Sequence, residues 1–251
     1  MITNLSETDC RARAIADNIA RVRGQIASAL HRAGRQENAV TLCAVTKTRP
    51  VSDCLATIAA GVSDLGENYV QEAREKIPAL RAALPPGENM TCHLVGHLQT
   101  NKIKYAVAFA DVFQTVDSED CLRGIAKSRQ KLYNVATIGD NGFQTARVLI
   151  EINLSGSAGR AGIAPETALD FATMAHEIPG ITLCGFMGMA PQTESPDAAR
   201  PYFARLKKLF DALPAENARI LSMGMSGDYE AAIAEGATLV RIGTAIFGQR
   251  D

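Results

Sequence analysis

Lys47 closes a short, β-branched, almost wholly apolar run, Val40-Thr-Leu-Cys-Ala-Val-Thr-Lys47, just ahead of the polar turn Thr48-Arg-Pro50. A run of that length and make-up reads as a strand buried on both faces, the kind found in parallel sheets. A lysine where such a strand meets its loop is half desolvated, and its amine can act as a neutral nucleophile toward an aldehyde. The residue type also suits a solvated charge that merely ends the strand, so the lysine needs partners before it means chemistry. Partners stand near the other end of the chain. The segments Met223-Gly-Met-Ser-Gly-Asp228 and Gly243-Thr244 are glycine turns. Amides freed at such turns make an anion site, to which the hydroxyl of Ser226 can add. Arg241 lies between them inside an apolar strand, where a buried guanidinium needs an acceptor.

These groups can act on one ligand only if the fold brings both ends of the chain together. Ile15, Ile19, Val22, Ile26 and Leu30 recur at helical spacing with arginines between them, which predicts a core-packing amphipathic helix over 7–35. After the strand that ends at Lys47, strands are expected at 62–67, 91–96, 112–116, 148–154, 181–187, 218–223 and 238–242. Helices are expected between them at 52–60, 68–84, 101–109, 119–132, 165–176, 198–213 and 229–235. The polar segment 134–145 reads as a long exposed loop. Strict alternation of this kind specifies a parallel sheet with helices outside it. The expected fold is α/β, a single (β/α)8 TIM barrel over residues 1–251, with 1–38 as an extra N-terminal helical lead-in. A doubly wound open sheet is the alternative. The barrel is preferred because only closure sets strand one beside strand eight, and because loops after strands seven and eight of barrels commonly hold a phosphate.

Composition narrows the partners. Lys and Arg number 26 against 27 Asp and Glu, a net charge of −1, so no nucleic-acid or membrane-surface footprint is expected. Cys10, Cys43, Cys54, Cys92, Cys121 and Cys184 are scattered without a pairing pattern, and the N-terminus lacks the basic-then-apolar order of a signal peptide. No apolar stretch reaches membrane-spanning length. A cytoplasmic monomer with a small-molecule partner is the expectation. His93 and His97 have the spacing of a helical metal pair but straddle a strand end and a glycine, so no metal site is assigned; one is expected to pack and the other to sit at the mouth.

A lysine amine, a cation and a phosphate cradle at one barrel mouth would suit pyridoxal 5′-phosphate, whose aldehyde takes a lysine as a Schiff base. Five motifs point the same way: Ala44-Val-Thr-Lys-Thr-Arg-Pro50, Gly66-Glu-Asn-Tyr-Val-Gln-Glu72, His93-Leu-Val-Gly-His-Leu-Gln-Thr-Asn-Lys102, Leu221-Ser-Met-Gly-Met-Ser226 and Val240-Arg-Ile-Gly-Thr-Ala-Ile-Phe-Gly248. In this order they resemble the pyridoxal phosphate homeostasis proteins, the YggS/PROSC family. The resemblance implies a barrel of the alanine racemase N-terminal-domain kind (fold type III for this cofactor) and covalent attachment of the cofactor at Lys47. It further implies phosphate contacts at Ser226, Gly243 and Thr244, with Arg241 facing the pyridine nitrogen and Asn68 and His97 lining the mouth. Apo enzymes that use the cofactor are the acceptors it suggests. Where relatives often carry an acidic residue and a lysine after strand five, this chain has Ser155-Gly-Ser-Ala-Gly-Arg160.

A fixed cation opposite the ring nitrogen disfavours its protonation and weakens the cofactor as an electron sink. Racemases of this fold add a tyrosine from a further β domain, for which a chain ending at Asp251 leaves no room. The expectation is therefore a carrier that binds and hands over the cofactor without substrate turnover, with no catalytic residue. Two alternatives stay open. One is a racemase or related pyridoxal phosphate enzyme with a base among Tyr69, Tyr105, Tyr202 and Tyr229, candidates by type only. The other is a cofactor-free Schiff-base aldolase acting on a phosphorylated substrate.

Overall fold

The computed structural model describes residues 7–135, 145–157 and 159–249. Eight short apolar runs form parallel strands: β1 (Thr41–Val45), β2 (Asp64–Glu67), β3 (Thr91–Leu94), β4 (Val112–Val116), β5 (Ala146–Ile152), β6 (Ile181–Gly188), β7 (Ile220–Ser222) and β8 (Leu239–Ile242). Each pairs with the next, and β1 pairs with β8, Cys43 opposite Arg241, so the sheet closes into a barrel. This is the expected α/β barrel, and the open-sheet alternative is ruled out. The helices are α1 (Glu7–Arg32), α2 (Val51–Ala59), α3 (Val70–Ala83), α4 (Ile103–Ala106), α5 (Glu119–Val135), α6 (Ala168–Glu177), α7 (Arg200–Asp211), α8 (Tyr229–Ala234) and α9 (Thr244–Phe247).

Several elements differ in bounds from the reading of the sequence, among them β2 (expected at 62–67) and β7 (expected at 218–223), which are shorter. Two others differ for identifiable reasons. The helix expected at 101–109 is a 3-10 turn, Thr100–Lys102, followed by α4. The chain then leaves it on tight bonds, Ala108 N–H to Tyr105 O and Phe109 N–H to Ala106 O. β5 begins earlier than 148–154, at Ala146, and ends earlier because Asn153 turns the chain out of the ladder. Its side-chain amide donates to the carbonyls of Ser157, at 3.1 Å, and Arg160, at 3.3 Å, the local bonding by which Asn competes with a strand. The expected loop at 134–145 falls mostly on residues 136–144, outside the described residues.

The stripe of α1 packs inward as expected, with Ile15, Ile19, Val22, Ile26 and Leu30 buried. Its arginines, and Arg35 just beyond it, bond carbonyls at helix ends. Arg23 donates to Ala60 O and Gly61 O after α2, Arg35 to Ile233 O and Ala237 O around α8, and Arg11 to Phe247 O of α9. Asn18 and Arg21 donate to Ile246 O and Ala245 O, also on α9. Burying one such aliphatic side chain is worth about 1.5–3 kcal/mol, against about 1 kcal/mol for a side-chain bond to a carbonyl. Packing therefore holds α1 on the barrel, and the polar side chains set where it sits. Three of them fix the outer side of α9, which matters at the mouth.

Candidate functional site

β1 and β8 are neighbours, so the loops leaving them share one rim at the C-terminal ends of the strands. A cavity of about 300 Å³ opens there. Lys47, Asn68, Ser226, Arg241, Gly243 and Thr244 all line it. The one expected mouth residue that stays away is His97. Its side chain is 61% exposed and lies 3.8 Å from Asp117, outside the lining.

Lys47 stands two residues beyond β1, in a turn. The next residue, Thr48, has φ 60°, a left-handed conformation that costs a β-branched residue about 1–3 kcal/mol and persists only where neighbours enforce it. The neighbours are a buried polar group between β2 and α3. Glu72 accepts from Thr48 N–H at 2.7 Å. Lys76 donates to Glu72 at 2.6 Å and to the carbonyls of Thr46, at 2.8 Å, and Arg49, at 3.3 Å. It also pairs with Glu67 at 2.8 Å, and Glu67 accepts from the Thr46 hydroxyl at 2.6 Å. Lys76 and its carboxylates thus clamp both sides of the turn that presents Lys47. Burial opposes the charge on Lys76, but Glu67 and Glu72 outweigh it and hold the ammonium pKa above its ordinary value. Burial lifts the Glu67 carboxyl, and Lys76 pulls back part of that rise. The sequence reading missed this group, although Glu67 and Glu72 stand in a quoted motif and Glu72 and Lys76 have the i, i+4 spacing of a helical ion pair.

The opposite wall comes from the loops after β7 and β8. Gly224 takes φ 92°, and a Cβ there would lie 2.6 Å from that of Ala232, so the β7 turn is open only to glycine. Asp228 closes the loop by accepting from Met225 N–H at 2.6 Å, and burial raises its carboxyl pKa. The Ser226 hydroxyl accepts from Ala245 N–H at 3.3 Å, which ties this loop to α9. Among the described residues no protein acceptor pairs with the amides of Ser226, Gly227, Gly243 and Thr244. Amides, a hydroxyl and a guanidinium converging on one cavity suit a phosphate. Arg49 spans the gap, 5.5 Å from the Phe247 ring centre and donating to Gly248 O at 3.2 Å.

Arg241 is buried inside the barrel, which lowers its pKa, while Cys43, Glu151 and Asp228 act in the other direction. It donates to Ser222 Oγ at 2.5 Å and Gly188 O at 3.2 Å. On the β2 side, the Oδ1 atom of Asn68 is buried without a partner. An orphaned acceptor of this kind is costly unless something supplies a donor. The cavity therefore offers a lysine amine, an anion cradle, a buried cation and an unfilled acceptor. That set can hold a small phosphorylated ligand and bring its carbonyl group to the lysine.

His93 is packed inside the barrel, with its ring nitrogens bonded to Gln114 and Asp64. Of the tyrosines weighed as bases, Tyr69 is exposed, Tyr105 stacks against Arg74 and Lys104, and Tyr202 is on α7. Tyr229 donates its hydroxyl to Gln25 of α1 at 2.9 Å. None of the four lines the cavity.

The family model of the alanine racemase N-terminal domain matches residues 12–251. The pyridoxal phosphate homeostasis protein of Vibrio cholerae is 38% identical over 241 residues, 95% of this chain and 98% of the relative. That of Pseudomonas aeruginosa is 41% identical over 237 residues, 94% of this chain and 96% of the relative. Among solved structures, PipY of Synechococcus elongatus with PLP bound is 28% identical and superposes with a TM-score of 0.74, covering 93% of this chain and 100% of that one.

Proposed function

The chain belongs to the pyridoxal phosphate homeostasis proteins, and from that premise we propose that it holds pyridoxal 5′-phosphate as a Schiff base on Lys47 and passes it to apo enzymes without turning over a substrate. The observation that carries the reading is the meeting of Lys47, Arg241 and the Ser226, Gly243 and Thr244 cradle around one cavity of about 300 Å³. The bound cofactor supplies an electrophilic aldehyde and an electron-withdrawing ring. Every other part belongs to the chain. Lys47 provides the attacking amine, on a turn whose geometry Lys76 and Glu72 impose. Ser226 and the free amides of both loops hold the phosphate. Asn68 offers its unfilled oxygen to a ligand donor.

Arg241 faces the ring nitrogen and, as a permanent cation, keeps a proton off it, which limits carbanion chemistry. None of the tyrosines weighed as bases lines the cavity, which supports a carrier over a racemase. His97, exposed at the rim, takes no part in holding the cofactor and is dropped from the proposed set. The net charge of −1 and the buried thiols of Cys43, Cys54, Cys92, Cys121 and Cys184, none in a disulfide, are in keeping with a cytoplasmic protein, which on this reading acts as a monomer of one domain over residues 1–251. Among the described residues no helix is long and apolar enough to cross a membrane.

Intact mass after borohydride reduction tests the reading. Wild-type protein incubated with pyridoxal 5′-phosphate is expected to gain one pyridoxyl phosphate and to show a visible absorption band beforehand. Lys47→Ala is expected to do neither. An adduct of equal yield in both proteins would move the attachment point elsewhere, and a colourless wild type would favour the aldolase.

A further inference from the structure

Barrel interiors of this kind are filled mainly by branched apolar side chains, and here Val112, Leu149, Cys184 and Met187 form such a cluster. Beside it runs something else. Arg241 Nη1 donates to Ser222 Oγ at 2.5 Å, and Ser222 donates to Gln114 Oε1 at 2.7 Å. Gln114 Nε2 meets His93 Nδ1 at 2.9 Å, and His93 Nε2 meets Asp64 Oδ1 at 2.8 Å. Five side chains on β8, β7, β4, β3 and β2 thus form one unbroken line. The Gln114 to Ser222 link crosses between strands that are not neighbours in the sheet. Ser222, Gln114 and His93 are buried, and the line ends at Asp64, a quarter exposed beside a separate cavity lined by strand beginnings at the opposite face.

An arginine only donates and a carboxylate only accepts, so with a neutral His93 ring the two ends fix the direction of every bond between them. Asp64 demands a hydrogen on His93 Nε2. The neutral ring then offers Nδ1 as an acceptor, which turns the amide of Gln114 so that its NH₂ faces the imidazole and its oxygen faces Ser222. Ser222 therefore gives its only hydrogen to Gln114 and keeps a lone pair for Arg241. No member can rotate without breaking two bonds. Buried polar networks are costly when partly satisfied and rigid when fully satisfied, so one placed where apolar packing is the norm calls for a reason.

We propose that Ser222, Gln114 and His93 are positioning residues that lock the Arg241 guanidinium in the orientation the cofactor's ring nitrogen meets, with Asp64 anchoring the far end of the line. This deepens the cofactor reading above and rests on it for the identity of the ring. A directly paired carboxylate would neutralise Arg241 locally. Neutral links hold its orientation and leave its charge facing the mouth.

The test has an arm without cofactor and an arm with it. In cofactor-free protein the side-chain N–H groups of Arg241 are expected to be protected from hydrogen exchange, and His93 to show the single neutral Nε2–H tautomer by ¹⁵N NMR. Gln114→Leu and Ser222→Ala are expected to lower the Arg241 protection about tenfold or more, while Ser222→Thr, which keeps the hydroxyl, restores it. Ser222→Ala removes one oxygen, so it serves if Gln114→Leu does not fold. In loaded protein the same two variants are expected to shift the ¹⁵N resonance of the cofactor ring nitrogen and its absorption maximum, with the borohydride adduct on Lys47 still formed. A wild type that binds no pyridoxal 5′-phosphate would defeat the cofactor reading and leave the first arm to judge the chain. Wild-type Arg241 protection in both variants, or an unmoved ring-nitrogen resonance with the cofactor bound, would overturn the proposal.

Discussion

Lys76→Met is expected to lower the free energy of unfolding by about 3–5 kcal/mol and to weaken cofactor loading in the same variant. The side chain is only 7% exposed, and its ammonium meets Glu67, Glu72 and two backbone carbonyls. Methionine keeps the packed stem and removes the charge. Glu67, fully buried and already without a partner at Oε2, then loses its counter-ion. Restoring balance with Glu67→Gln in the same chain should recover much of the loss, because it leaves no fully buried uncompensated ion, Glu72 being partly exposed. The carbonyls of Thr46 and Arg49 lose the Lys76 donor in both variants, so the turn bearing Lys47 should remain loose even where stability returns. Denaturant midpoints and borohydride adduct yield read the two effects separately. The pH dependence follows from the raised pKa of Lys76. Its contribution is fully present below the unfolded-state value of about 10.4 and is lost as pH rises through the higher folded value. Wild type should thus lose more stability than Lys76→Met in the alkaline range. A Lys76→Met midpoint equal to wild type, or identical alkaline losses, would mean that the pair is not the clamp described.

The closure of the barrel was legible because the chemistry was split between the ends of the chain, and a cation at 241 and an amine at 47 make sense together only if β1 meets β8. Strand β4 was read to the residue, since Val112–Val116 is an uninterrupted apolar-rich run bounded by Asp111 and Asp117. Polar groups that act between elements were not legible. Glu67 ends a strand whose neighbours look like ordinary loop residues, and nothing in a linear pattern says that it faces Lys76 on the following helix. The chain through Asp64, His93, Gln114 and Ser222 is spread over four strands, each contributing one member. Such a residue looks like noise until the register is known. His97 shows the converse error. A histidine inside a recognised motif drew a role from its neighbours, but the backbone after β3 turns it to solvent while Gly96 faces inward.

Gly96 itself carries the second large effect. A Cβ added there would lie 2.3 Å from Asn68 O and 2.7 Å from Asn68 Cα, backbone atoms that cannot swing aside. The close approach is what a glycine at the end of a strand often serves. It lets the chain after β3 pass directly beneath the residue that lines the cavity. The Gly96 carbonyl accepts from the Thr115 hydroxyl at 2.7 Å, and Val95 N–H bonds Glu67 O at 2.9 Å, so the segment is held from both sides and cannot retreat cheaply. Gly96→Ala is expected to cost about 3 kcal/mol, the upper range for overpacking, and to displace Asn68 so that the cofactor is held more weakly. Gly24→Ala is the matching control. Gly24 sits inside α1 with nothing within 4 Å of the added methyl, so the same chemical change should stabilise by up to about 1 kcal/mol through helix propensity. Opposite signs in thermal or denaturant midpoints would assign the loss at 96 to the contact with Asn68. A Gly96→Ala protein with wild-type stability and cofactor retention would show that the backbone of Asn68 has room to move.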